Sequence, residues 1–253
     1  MTKGAIGNLI NRYQAVLKKC RLLNTFGTLT IASMMVMGTG MAEAKTYTSN
    51  IEEYWGYIGD NVPSYEDYED IREQDGKNTI YTFSDGDKIL YSVDGSSTPA
   101  DVAIYINSFS NVSSSIFPTD MRFTIKGDLD IDITDDNDAT PAERASTVGI
   151  VFNAGESFLT GEDEISITTH SLAVDNEAYS VGVSIGNLSS SGSDSGNSPA
   201  IGNNTVSFNK LDIDLTATTQ NGESARAYGV EMRGNSNITI ADLKVSATAG
   251  GGT

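Results

Sequence analysis

Residues Gly127 to Thr140 read GDLDIDITDDNDAT, and half of them are Asp or Asn. Asp128, Asp130 and Asp132 have the spacing with which an EF-hand calcium loop begins. Such a loop also needs Gly at its sixth position for a sharp turn and Glu at its twelfth as a bidentate ligand. Those positions hold Ile133 and Ala139. The sequence therefore excludes an EF-hand in this stretch.

The same stretch has the alternation of a half-buried strand. Leu129, Ile131 and Ile133 alternate with Asp130 and Asp132. Because successive side chains of a strand point to opposite faces, this pattern predicts the apolar residues inside and the aspartates outside.

Similar groups of short strands recur along the chain from residue 122. Aligning Ile131, Ile165, Ile213 and Val245 gives steps of 34, 48 and 32 residues, and the longest step includes the Gly/Ser-rich LSSSGSDSGNSPA. Glycine recurs in the third strand of each unit, at Gly149, Gly182 and Gly229. A repeat that cannot bury its inner face alone must stack on its neighbours. We therefore predict an all-β chain folded as a right-handed parallel β-helix, with three short strands per coil of about 33 residues. A β-sandwich is the alternative.

In such a stack, the alignment predicts two outward columns of side chains: Asp130, Glu164, Asp212 and Lys244, and beside it Asp132, Ser166, Asp214 and Ser246. Calcium bridging neighbouring acids is one hypothesis, with Asp130, Asp132, Asp212 and Asp214 as the weak ligand candidates. A solvated acidic face without a metal is the plainer interpretation.

No catalytic constellation emerges from the remaining motifs. GVSIG, Gly182 to Gly186, fits a nucleophile elbow, but the repeat places Ser184 within a strand rather than at a strand-to-helix turn. SDSGNSP, Ser193 to Pro199, resembles a protease nucleophile segment only distantly. The single histidine, His170, lies in the loop-like THSL. We predict no catalytic residue and no enzyme.

Residues 1–44 have the composition of a targeting segment. Five basic residues and no acid precede an uncharged run at residues 22–41, and Ala42-Glu43-Ala44 follows as a small-x-small cleavage signal. We predict cleavage after Ala44. An uncleaved membrane anchor is the alternative, since the uncharged run is just long enough to span a bilayer.

After that cut, 33 acidic and 11 basic side chains remain, and the only cysteine, Cys20, is removed. The strong negative charge argues against nucleic acid as a partner. Without disulfides, buried apolar area and backbone hydrogen bonds must stabilise the fold.

The opening, NRYQAVLKKCRLLNTFGTLTIASMMVMGTGMAEA, resembles the extended signal peptides of Gram-negative autotransporters, and the repeats resemble the N-terminal part of an autotransporter passenger. The resemblance implies a β-helix displayed outside the cell. It also implies an outer-membrane barrel, which is absent from the 253 residues, so a truncated passenger is expected.

These observations define three segments. Residues 1–44 are the extended signal peptide, 45–100 an acidic, aromatic cap or linker with the first strands, and 101–253 the β-helix passenger. The expected function is an adhesin or structural stalk, exported through the periplasm to the cell surface, with a host-cell or bacterial surface ligand such as a glycan. A β-helix polysaccharide lyase or hydrolase is the alternative.

Overall fold

The computed structural model describes residues 44–55, 68–93, 101–108, 119–137, 144–186, 203–221, 224–232 and 235–251. All of them belong to one compact unit, Ala44–Thr253. The predicted signal segment up to Glu43 and the SDSGNSP motif lie outside the described residues.

The described residues form fourteen strands and no α-helix. In chain order the strands are β1 (Thr46–Tyr47), β2 (Ile51–Trp55), β3 (Arg72–Asp75), β4 (Asn78–Thr82), β5 (Lys88–Val93), β6 (Asp101–Ser108), β7 (Arg122–Lys126), β8 (Leu129–Asn137), β9 (Ala145–Asn153), β10 (Phe158–Ala173), β11 (Ala178–Ile185), β12 (Thr205–Thr219), β13 (Ala225–Met232) and β14 (Asn237–Gly251). Three stretches before the repeats, NTIYT, KILYSV and DVAIYINS, form β4, β5 and β6.

Two sheets contain these strands. The first has nine strands: β7 and β8 both pair with the long strand β10, which then pairs with β12, and β12 with β14. The second has five strands in the order β13-β11-β9-β6-β2. The chain passes through the first sheet and then the second, and returns to each sheet one strand further along. Every pairing is parallel except that of β3 with β4.

The prediction of an all-β chain is therefore confirmed. Its parallel sheets are compatible with a β-helix-like fold. Parallel sheets bury their inward side chains continuously, which explains how this chain makes a core without disulfides.

The core contains apolar side chains of both sheets, and those of the first sheet form columns. The central column follows the strand register and contains, in order, Ile89, Ile131, Ile167, Ile213 and Val245. The first four are almost completely buried. Burying one such side chain stabilises a fold by about 1.5 to 3 kcal/mol, so each added strand strengthens the column.

A column of glycines on the second sheet faces this isoleucine column. A Cβ at Gly182 would lie 2.7 Å from Cγ2 of Ile213 and 2.6 Å from the carbonyl oxygen of Gly229. Gly149 has the same relation to Ile167 and to the carbonyl oxygen of Gly182. The recurring glycine noted in the sequence therefore allows the two sheets to approach closely.

The antiparallel strand β3 lies at the edge of the first sheet, beside β4. Arg72 of β3 forms a two-pronged hydrogen bond to Glu53 of β2, with N–O distances of 2.9 and 3.1 Å. Only 2% of the Glu53 side chain is exposed. The ion pair thus joins the two sheets at their N-terminal end.

Candidate functional site

The strand β8 has the faces that the sequence predicts. Leu129, Ile131 and Ile133 are buried, while Asp130 and Asp132 are exposed. The aspartates that first suggested a metal site therefore lie on the outer surface of the first sheet.

The predicted outward columns are wrong in register at the second repeat. Asp130 is paired with Ser166, not with Glu164, and Ser166 is paired with Asp212. Likewise Thr168, not Ser166, lies between Asp132 and Asp214. The isoleucine that pairs with Ile131 and Ile213 is therefore Ile167, not Ile165. A shift of two residues keeps every side chain on its own face, so alternation alone cannot detect it.

In the observed register, opposite charges are neighbours on several strand pairs. Glu164 is paired with Lys210, and their side chains form a 2.6 Å ion pair. Asp212 is paired with Lys244 at 2.7 Å. These contacts raise the pKa values of both lysines. The outer face thus has ion pairs between neighbouring strands, and Ser166 and Thr168 separate the acids of the two predicted columns.

This register bears on the calcium hypothesis. One strand separates Asp130 from Asp212, and one separates Asp132 from Asp214, which corresponds to about 9.6 Å across the sheet. The two acids of each pair therefore lie on strands that are not neighbours, with Ser166 or Thr168 between them. Among the described residues, no group of three or more His, Cys, Asp or Glu is arranged to hold a metal. Calcium binding stays a prediction, and a calcium-dependent rise in melting temperature is its test.

A second group of polar residues lies inside the fold, where β8 and β10 meet β9 and β11. The hydroxyl of Thr147 is 2.8 Å from that of Ser171 and 3.2 Å from that of Ser180. Ser180 also donates to the Thr216 carbonyl at 2.7 Å. All three hydroxyl residues are buried.

Two carboxyl groups occupy the corresponding positions one strand earlier. Asp101 is paired with Thr147, and Asp135 is paired with Ser171. Asp135 is buried and accepts a 2.7 Å hydrogen bond from the backbone N–H of Ser146. Burial, followed by the charge of Asp135, raises the pKa of Asp101 to about 7.

Sequence reasoning missed this carboxyl pair, although a signal existed for one of its members. The alternation that places Leu129, Ile131 and Ile133 inside continues to Asp135. Asp101 gives no such signal, because the three residues after it are all apolar.

The residues weighed for catalysis do not come together. Ser184 is buried within β11, as the repeat predicted, and is paired with Val151 and Glu231. His170 was expected in a loop, but it lies within β10, paired with Thr134 and Thr216. The prediction of a loop at THSL is therefore wrong. Thr and Ser are acceptable at half-buried strand positions, so their presence does not indicate a loop.

At the predicted cleavage signal, Ala42 lies outside the described residues, and Ala44 is exposed. The described part of the chain contains no helix with the length and apolar character needed to cross a membrane.

Comparisons of the chain with protein-family models, with curated proteins and with solved structures found no match.

Proposed function

We propose that this chain is an exported, surface-displayed passenger of the autotransporter type, whose parallel strands form a right-handed β-helix used as a stalk or adhesive surface. The observation that carries the proposal is the repeated strand order. Each unit crosses the first sheet and then the second, and each pairs in parallel with the unit before it. Such a shaft gains length by adding units, which suits a structure that projects from a cell.

The outer surface supports the same proposal. Exposed charged side chains on the first sheet, including the ion pairs of Glu164 with Lys210 and of Asp212 with Lys244, keep a long sheet face soluble. The N-terminal signal pattern supports export, and the resemblance of residues 1–44 to extended signal peptides supports the autotransporter type.

Export is tested by expressing the full chain in a Gram-negative host and sequencing the N-terminus of the product recovered outside the cytoplasm. We expect Lys45 to be the first residue. Recovery of an uncleaved chain from the cytoplasm or the inner membrane would contradict the proposal. The control is the Ala42→Asp, Ala44→Asp double variant, in which the small residues of the signal are lost.

Adhesion is tested with the processed chain coupled to beads, presented to host cells, to bacteria and to immobilised neutral and anionic glycans. An adhesive surface predicts retention above that of uncoated beads on at least one of these surfaces. Retention on none of them would contradict adhesion and leave only the stalk role. Cleavage of a polysaccharide, abolished by substituting one carboxylate, would instead favour the lyase or hydrolase alternative.

A further inference from the structure

The backbone nitrogen that the predicted cleavage would free already contacts a buried carboxylate. The N–H of Lys45 donates to Oδ1 of Asp87 at 2.6 Å. Asp87 is only 2% exposed. The compact unit also begins at Ala44, the residue before the predicted cut.

Asp87 is held in place by its own turn between β4 and β5. Its Oδ2 accepts the N–H of Ser84 at 2.7 Å, and its own N–H donates to the Ser84 carbonyl at 3.0 Å. Gly86 of this turn has a φ of 86°, a conformation that glycine adopts without strain. The carboxylate is therefore oriented before any ligand reaches it.

The neighbouring backbone fixes Lys45 in the same way. The carbonyl of Lys45 accepts the N–H of Lys88 at 2.9 Å, which continues the pairing of β1 with β5. The Lys45 ammonium forms an ion pair with Asp70. Removal of residues 1–44 leaves these contacts intact, because none of them involves a residue before Lys45.

The geometry points to Asp87 as the receptor for the new N-terminus: after cleavage, the α-ammonium of Lys45 forms a salt bridge with the buried Asp87 carboxylate and thereby locks the mature first strand in place. This inference rests on the proposed export and processing. Hydrolysis of the Ala44–Lys45 peptide bond consumes one water, leaves a carboxylate on Ala44, and leaves an amine on Lys45 that takes up a proton. The neutral N–H donor of the precursor thus becomes a cationic one, and charge-assisted hydrogen bonds are roughly twice as strong as neutral ones.

The charged groups around the new α-ammonium favour its protonated form. Asp87 lies on the turn before β5, and Asp70 lies beside the Lys45 side chain. Lys88 at the start of β5 is exposed and paired with Asp130 in the register of β8. Burial, with the charges of Asp70 and Asp87, raises the pKa of Tyr47 to about 12, so this phenol stays neutral across the physiological range.

The test measures the α-amino group of the processed chain by reductive methylation with ¹³C-formaldehyde and NMR titration. An ordinary α-amino pKa is about 7.7 to 8.0, and we expect a value raised by about one unit or more. Asp87→Asn should return it to the ordinary range. Asp85→Asn, which removes an exposed carboxylate from the same turn, should leave it raised.

A second variant covers the case in which Asp87→Asn does not fold. Inserting Ser between Ala44 and Lys45 moves the new α-amino group one residue away while Asp87 stays intact. We expect its titration in the ordinary range and a lower melting temperature below pH 7.7, the range in which the raised group contributes fully. That difference should vanish as the pH rises through the folded pKa.

The inference fails if the processed chain begins at Lys45 but its α-amino group titrates in the ordinary range, or if the inserted Ser changes nothing. A chain that is never cut at Lys45 would contradict the proposed export instead, so the two failures are distinguishable.

Discussion

At the scale of single residues, the buried Glu53 and the half-buried Asp101 have different partners and therefore different consequences. Glu53 forms an ion pair with the Arg72 guanidinium. Asp101 instead lies within reach of the negative charge of Asp135. Burial and the charge of Asp135 favour the neutral form of Asp101. The two acids are therefore tested with different measurements.

Asp101→Asn should make the stability of the protein less dependent on pH. The folded pKa of Asp101, about 7, lies above the ordinary value of about 3.9, so the folded state holds more protons between these values. The contribution of Asp101 is most favourable at low pH and is lost as the pH rises through about 7. Urea unfolding between pH 4.5 and pH 8, which covers most of that window, should show a slope in the native protein and a smaller one in the variant. Asp132→Asn on the exposed face is the control, and an unchanged slope in Asp101→Asn refutes the prediction.

Arg72→Met should destabilise the protein by about 3 to 5 kcal/mol, since it leaves the Glu53 carboxylate buried without its cation. Lys77→Met is the matched control. It removes a cation from an ion pair with Asp120 whose two side chains are 59% and 72% exposed, so we expect almost no change. The measurement is the free energy of unfolding in urea at neutral pH. Equal losses of unfolding free energy in the two variants would show that the buried Glu53–Arg72 pair does not stabilise the fold more than an exposed pair does.

Residue-scale patterns in the sequence established which side chains are inside but not which ones are neighbours. Leu129, Ile131 and Ile133 were placed correctly, because alternation determines the face of a strand. The partner of Asp130 was not, because a shift of two residues preserves that alternation. Its true neighbour, Ser166, follows from the pairing of whole strands, which a single sequence does not contain.

At the scale of elements, the glycine column sets the distance between the two sheets. Gly229→Ala should destabilise the protein because its Cβ would lie 2.8 Å from Cγ1 of Val245. That neighbour is a side chain, so adding Val245→Ala should recover the lost stability. In Gly182→Ala the carbonyl oxygen of Gly229 also obstructs the new Cβ, so Ile213→Ala should not recover it.

Gly250→Ala is the control for these substitutions, since nothing lies within 4 Å of a Cβ at that position. Melting temperatures of the single and double variants provide the comparison. If Gly182→Ala and Gly250→Ala melt at the same temperature, close approach at the glycine column is not what positions the sheets.

The fold class was predictable from the sequence at this scale because repeats show their order directly. The recurring glycine gave the position of the third strand, but its physical reason, contact with the isoleucine column, appears only when both sheets are present. The antiparallel strand β3 had no signal, since REQD lacks any alternation of apolar and polar residues.

At the scale of the whole molecule, the core columns are buried unevenly along the stack. Ile213 is completely buried, whereas Val245, one strand further in the same column, is 45% exposed. Ile213→Ala should therefore cost about 2 to 5 kcal/mol. Val245→Ala should cost clearly less, and urea unfolding measures both. Similar costs would indicate that β14 is covered by further structure.

The central claim is that successive units stack in parallel in the observed register, and paired cysteines test it most directly. Parallel neighbours are about 4.8 Å apart, within the range of a disulfide, while a partner two residues away lies about 6.6 Å further along the strand. The account predicts that Ser166→Cys with Asp212→Cys, in a chain lacking Cys20, forms a disulfide on mild oxidation and that Glu164→Cys with Asp212→Cys does not. Efficient cross-linking of the second pair, or failure of the first in the folded protein, would contradict it.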